Sequence, residues 1–169
     1  MIAAATASHL VGISDQQIGS VMENFVSVNH RLERVATIND ITYINDSKAT
    51  NLDSIKVAVD SFDKPIVLIL GGRNKGADFR LLLPHIKSSH VRGIVSYGEA
   101  GEHIITAIGD AVRSVQVTDL NSAVEIAQTL AAPGEIILFS PGCASFDQFS
   151  NFEERGEYFK SRVLKMADL

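Results

Sequence analysis

The feature that most limits what this chain can fold into is a run of five apolar residues, Ile66-Val67-Leu68-Ile69-Leu70, that begins after Pro65 and stops at Gly71-Gly72. A strand with one wet face alternates polar and apolar side chains, so an unbroken apolar run between Pro and Gly signals a parallel strand covered on both faces. Parallel neighbours require crossover connections, which are usually helical. Further strand patterns occupy Gly93–Tyr97, Ser114–Val117 and Ile136–Phe139. Between and after the strands lie helical stripes: Leu52, Ile55, Val59 and Phe62; Ala123, Ile126, Ala127 and Leu130; and Phe152, Gly156, Phe159, Val163 and Met166. Strands alternating with helices predict an α/β fold with an open, mostly parallel sheet and helices on both faces.

Two additions precede that pattern. Leu32–Ile38 and Ile41–Ile44, separated by the turn signal Asn39-Asp40, predict a short β-hairpin. The first 25 residues predict two helices, the second opened by a capping box of Ser14 with Gln17 and carrying Ile18, Val21, Met22 and Phe25 on one face. Helical composition begins at the second residue without a cap. Residues 1–29 are therefore expected to be a helical remnant of a larger unit, and residues 30–169 the α/β domain itself. An uncovered apolar face on the first helices predicts concentration-dependent association.

Composition removes several function classes. Lys plus Arg number 15 against 20 Asp plus Glu, a net charge of −5, with no basic block, so neither nucleic acid nor an anionic membrane surface is an expected partner. The single cysteine, Cys143, can form neither an internal disulfide nor a cysteine zinc cage, which suits a reducing, cytoplasmic setting. No apolar run approaches the roughly 18 residues that span a bilayer. Met1–Leu10 lacks the basic start of a signal peptide. The five histidines show no metal-ligand spacing, so no metal site is expected.

In a parallel α/β sheet, ligands bind beyond the carboxyl ends of the strands. Three unusually polar segments follow strands there: Asn45–Asn51, Gly71–Asp78 and Ser140–Ser145. Together they bring two lysines, Lys48 and Lys75, to an edge that also carries hydroxyls and backbone amides, which suits a small dianion. Each piece has a plainer reading. Thr50 with Asp53 matches a helix cap, Gly71-Gly72 a tight strand exit, and each lysine alone a solvated surface group. The Gly71 segment fits neither G-x-x-x-x-G-K-[ST] nor G-x-G-x-x-G, so the chain has no self-sufficient nucleotide site. Cys143, without a histidine in these loops, reads as a small packed residue. Phe146, Phe149 and Phe152 read as fasteners of the last helix, or one of them as a wall of the ligand site.

Taken together, His30-Arg31, Tyr43–Asn51, Leu70–Phe79 and Ser140–Gly156 resemble the C-terminal domain of the Mur ligases, and among these the branch that adds D-glutamate. Sibling ligases for other amino acids carry an Asp-x-x-His-x-Pro type motif where this chain has Asp46-Ser-Lys-Ala-Thr-Asn51. The resemblance implies a Rossmann-like domain that binds the incoming amino acid. It implies a reaction in which ATP phosphorylates the carboxylate of UDP-N-acetylmuramoyl-L-alanine and the D-glutamate amine displaces phosphate, a step of peptidoglycan precursor synthesis. Lys48, Thr50, Lys75, Ser145 and Phe152 match the D-glutamate contacts, while His30, Arg31 and Asp46 match positions that close over ATP. Gly142 stands where the family has alanine, a change expected to leave the turn undisturbed. By the same resemblance residues 1–29 match the end of the family's central ATPase domain, whose phosphate loop and magnesium ligands lie outside this chain. ATP and Mg2+ are accordingly expected to serve the full-length enzyme, with neither bound tightly here and no catalysis by the chain alone. The alternatives are a free-standing α/β module for a small dianion or nucleotide, and the C-terminal domain of a folylpolyglutamate synthetase.

Overall fold

The computed structural model describes residues 2–24, 28–88 and 90–167. The hairpin comes first, with β1 (Glu33–Ile38) antiparallel to β2 (Ile41–Asn45). Its turn residues Asn39 and Asp40 have φ of 50° and 62°, the paired positive values of a two-residue turn whose twist matches that of the strands. Four more strands follow: β3 (Ile66–Gly71), β4 (Val91–Tyr97), β5 (Arg113–Gln116) and β6 (Ile136–Gly142). The sheet order is β1-β2-β6-β3-β4-β5, and every pair but the hairpin is parallel.

The helices are α1 (Ile2–Leu10), α2 (Asp15–Glu23), α3 (Leu52–Asp60), α4 (Leu83–Ser88), α5 (Gly101–Ile108), α6 (Leu120–Leu130) and α7 (Phe152–Ala167). The apolar run in β3 divides by parity, as side chains of a strand must. Ile66, Leu68 and Leu70 pack with α3, α4 and α5 on one face, while Val67 and Ile69 pack with α6 and α7 on the other. A three-layer α/β sandwich results, as the periodicity predicts.

Three local expectations are corrected. The cap of α3 is Asn51 rather than Thr50: Asn51 is extended and its Oδ1 accepts the Ser54 N–H at 2.9 Å. Thr50 is thereby left outside the helix. β6 continues past Phe139 to Gly142, because the register against β3 slips between Ile69 and Gly71 and so admits Pro141, which has no N–H to contribute. Phe146 does not fasten α7; it is 59 % exposed. α4 and the 3₁₀ turn Phe79–Leu82 before it are too short to show a period, whereas α5 does carry one, with Gly101, Ile104 and Ile108 buried on one face.

The capping box of α2 forms as read, with Ser14 and Gln17 bonded reciprocally. Phe25 lies outside the described residues. No residue of α1 or α2 is buried. Between them runs a mostly apolar cleft of about 360 Å³ lined by Ala4, Ala5, Ile13, Ile18, Val21 and Met22. Among the described residues no helix is long and apolar enough to cross a membrane. Sedimentation at rising concentration is expected to show this chain associating through that cleft. Val21→Lys combined with Met22→Lys is expected to abolish the association; a wild-type chain of constant monomer mass would overturn the expectation.

Candidate functional site

The carboxyl ends of β2, β6 and β3 lie side by side, and the loops that leave them are laced together by main-chain bonds. Gly142 N–H donates to Ala49 C=O at 2.9 Å, joining the β6 end to the β2 loop. Arg73 and Ala144 exchange both N–H···O bonds, at 2.8 and 3.1 Å, joining the β3 loop to the β6 loop. That close approach explains Gly72: its φ is 116°, and a Cβ would come within 2.3 Å of Ala144 C=O. Gly142 is equally specific, with φ of 69° and a Cβ position 2.3 Å from Ile55 Cδ1: glycine sits in this turn without strain, and an alanine here would need Ile55 to shift.

Beneath the loops sits Arg155, fully buried on α7. Its Nε donates to Ser47 Oγ at 3.0 Å, Nη1 to Cys143 C=O at 3.0 Å and Nη2 to Ser47 C=O at 2.7 Å. Its guanidinium also lies 5.9 Å from the centre of the Phe139 ring. Ser47 Oγ passes the connection on by donating to Phe152 C=O at 2.7 Å. One cation thus ties the β2 loop, the β6 loop and the start of α7 into a unit, using the fixed fork of donors that only arginine has.

His30 and Arg31, adjacent in sequence, part company. His30 is 5 % exposed, its Nδ1 is 3.0 Å from Asn45 Nδ2, and its C=O accepts the Lys48 N–H at 3.0 Å. Its ring occupies the space left by Gly156, where a Cβ would lie 2.1 Å from Nδ1. Phe152 meets it edge-on at 6.2 Å. Because Asn45 Nδ2 is a donor, the facing Nδ1 is the unprotonated acceptor nitrogen. Arg31, by contrast, is exposed and lines a groove of about 410 Å³ with Leu32, Asp46, Lys48, Ala49 and the start of α3.

Asp46 is buried. Burial pushes its carboxyl up to about 6, opposed by hydrogen bonds from Ser140 Oγ (2.8 Å) and Leu32 N–H (3.3 Å) and by the nearby Arg31 charge. Lys48 is exposed, with Nζ 5.5 Å from the centre of the Phe152 ring. Lys75 is exposed at the tip of the β3 loop, and Ser145 is buried where the β6 loop turns, its C=O accepting from Gln148 and Phe149 N–H. The groove therefore collects Arg31, Asp46 and Lys48, while Thr50, Lys75, Ser145 and Phe152 lie on the laced loops and the start of α7. Cys143 is 1 % exposed, and burial pushes its thiol up to about 12, which leaves it an inert packed residue as read. Among the described residues no group of three or more His, Cys, Asp or Glu could hold a metal ion.

Arg155 and Asn45 were not singled out from sequence. For Arg155 a signal existed: it lies three residues after Phe152 and four before Phe159, on the apolar stripe of α7. A charged residue on that stripe has to be buried with partners or break the pattern.

A mostly parallel sheet covered by helices on both faces, with polar loops laced over its carboxyl edge, defines a Rossmann-like α/β domain. The chain belongs to the Mur ligase, glutamate ligase domain family, whose model matches residues 30–143. It is 42 % identical to the UDP-N-acetylmuramoylalanine–D-glutamate ligase of Acidobacterium capsulatum, over 97 % of this chain and 35 % of that protein. The ligase of the same name from Salinibacter ruber is 40 % identical over 96 % of this chain and 35 % of its own. The chain thus spans about a third of the length of these relatives. Among solved structures, a pseudomurein peptide ligase type C from Methanothermus fervidus shares the fold, with a TM-score of 0.67 at 14 % identity over 97 % of this chain and 34 % of that one.

Arg155→Lys is expected to lower the unfolding free energy by about 2–4 kcal/mol, measured with urea, because buried acceptors lose their donors. The raised Asp46 carboxyl gives a pH signature. The folded state holds that proton more tightly than the unfolded state, so this group's contribution to stability is present at low pH and is lost as pH rises through about 6. Asp46→Asn is expected to gain stability over wild type between acid and neutral pH by about 2–3 kcal/mol. A difference that stays flat with pH would contradict the buried carboxylate.

Proposed function

We propose that this chain is the amino-acid-binding domain of a cytoplasmic ATP-dependent ligase that joins D-glutamate to UDP-N-acetylmuramoyl-L-alanine in peptidoglycan precursor synthesis. The feature that supports this reading is the lacing of three loops, which draws the segments carrying Thr50, Lys75 and Ser145 to one sheet edge, with Phe152 at the nearby start of α7. A substrate with two carboxylates is recognised by charge-assisted and hydroxyl hydrogen bonds, and a phenyl face suits the methylenes between them. The relatives named above carry that activity in their names, which supports D-glutamate over a folate-linked glutamate. Lys48 adds a second positive charge to the approach.

ATP fits this chain from one side only. Exposed Arg31 suits a phosphate and Asp46 the polar groups of a nucleotide, in the groove they share. His30, enclosed by Asn45, Gly156 and Phe152, suits a support that holds Arg31 in place rather than a group that touches nucleotide. The chain contains no phosphate loop, and its described residues offer no magnesium cluster. ATP and Mg2+ on this reading are held by a central domain, of which residues 1–29, with α1 and α2, form the end. Ligation places an acyl phosphate and an amine together in a closed, water-poor cleft. One wall of that cleft does not catalyse.

The chain alone is therefore expected to bind D-glutamate weakly and to have no ligase activity. Titration followed by NMR is expected to shift signals of the Thr50, Lys75 and Ser145 loops, and Lys75→Ala is expected to weaken binding about tenfold or more, the worth of a hydrogen bond to a charged group. Stronger shifts with another amino acid than with D-glutamate would refute the assignment, as would tight ATP binding by the chain.

A further inference from the structure

Lys75 sits at the tip of a loop whose base is held by the Arg73–Ala144 pair and whose tip is shaped by one side chain, Asn74. Asn74 Oδ1 accepts the Ala77 N–H at 2.8 Å, and Asn74 Nδ2 donates to Ala77 C=O at 3.1 Å, so the amide clips a tip made only of Lys75 and Gly76. Both tip residues are exposed, and a Cβ on Gly76 would meet nothing within 4 Å. Packing does not hold the tip; the clip does. The remaining Nδ2 hydrogen faces His103 Nδ1 on α5 at 3.3 Å. The His103 ring is itself set edge-on, at 86° and 5.7 Å, against the buried ring of Phe79.

This arrangement makes the clip and the charge of His103 mutually dependent. Asn74 cannot turn its oxygen toward His103 without breaking both bonds to Ala77. His103 Nδ1 must therefore be the acceptor, with the ring neutral and its proton on Nε2. A protonated ring would place an N–H against an N–H. The charged groups near the ring are Asp78, the cap of the 3₁₀ turn, which interacts electrostatically with His103 and is itself paired with Arg80 at 2.8 Å, and on the helix side Glu102, the neighbour of His103 in the chain, while Glu99 is engaged by Arg73.

We propose that His103 is a positioning residue for Lys75, acting through Asn74, so that the neutral ring holds the Lys75-Gly76 tip ready for the substrate carboxylate and protonation of the ring releases it. The proposal deepens the D-glutamate reading and rests on it for the role of Lys75.

The test uses the labelled chain, with D-glutamate as the probe. As pH falls, the imidazole signals of His103, the Asn74 side-chain amide and the backbone amides of Lys75, Gly76 and Ala77 are expected to move with one midpoint, and D-glutamate affinity to drop about two- to tenfold across it, the worth of one neutral hydrogen bond. His103→Gln can accept the same bond through its side-chain oxygen and is expected to keep the high-pH affinity while losing the inflection. His103→Leu is expected to bind weakly by the same factor at every pH, with its other amide signals reporting an intact fold. Loop amides that stand still while His103 titrates would overturn the proposal, as would full affinity in His103→Leu. If the loop follows His103 yet D-glutamate shifts nothing at any pH, the positioning stands and the D-glutamate reading falls.

Discussion

A single buried cation holds the working edge of this domain together. Arg155 has no exposed surface and is compensated by two carbonyls, a hydroxyl and the Phe139 ring. Removing a guanidinium from water is costly unless its donors are satisfied, and here the satisfying groups are contributed by two separate loops. The cation's need for partners therefore becomes the loops' relative position. Ser47 extends the connection to Phe152, and the backbone pair of Arg73 with Ala144 extends it to the loop that carries Lys75. The groups proposed to meet substrate rest on this frame.

His30 does for the other side of the edge what Arg155 does beneath it. By filling the space over Gly156 and accepting from Asn45, it fixes the chain just before β1, and its carbonyl receives the Lys48 N–H. The exposed Arg31 and the buried Asp46 are thereby set on one groove. Two adjacent residues that look alike in a motif take opposite roles, one inside the fold and one at its surface. Nothing in the sequence distinguishes them, because which of two neighbours is buried depends on where α7 passes.

Much of the fold was legible in the chain. The five-residue run in β3, the stripes of α3, α6 and α7 and the Asn39-Asp40 turn each follow from local periodicity or turn chemistry, and each formed. The turn before α4 is too short to display a 3.6-residue period, and α5, though its Ile104 and Ile108 share a face, has no capping side chain to mark its start. The cap of α3 was placed one residue early because Thr50 and Asn51 are both capable cap residues, and backbone direction out of the β2 loop chose Asn51.

The sequence by itself determined that strands would alternate with helices, that the sheet would be covered on both faces, and that polar loops would gather at one edge, since these depend on periods and on which residues avoid water. Tertiary structure alone decided that Arg155 lies under those loops, that His30 is enclosed while Arg31 is not, and that Asn74 clips Lys75 against His103. The first two of these join residues more than 100 positions apart. Their geometry is set by the crossing of β2, β6 and α7, and no local pattern in the chain records that crossing.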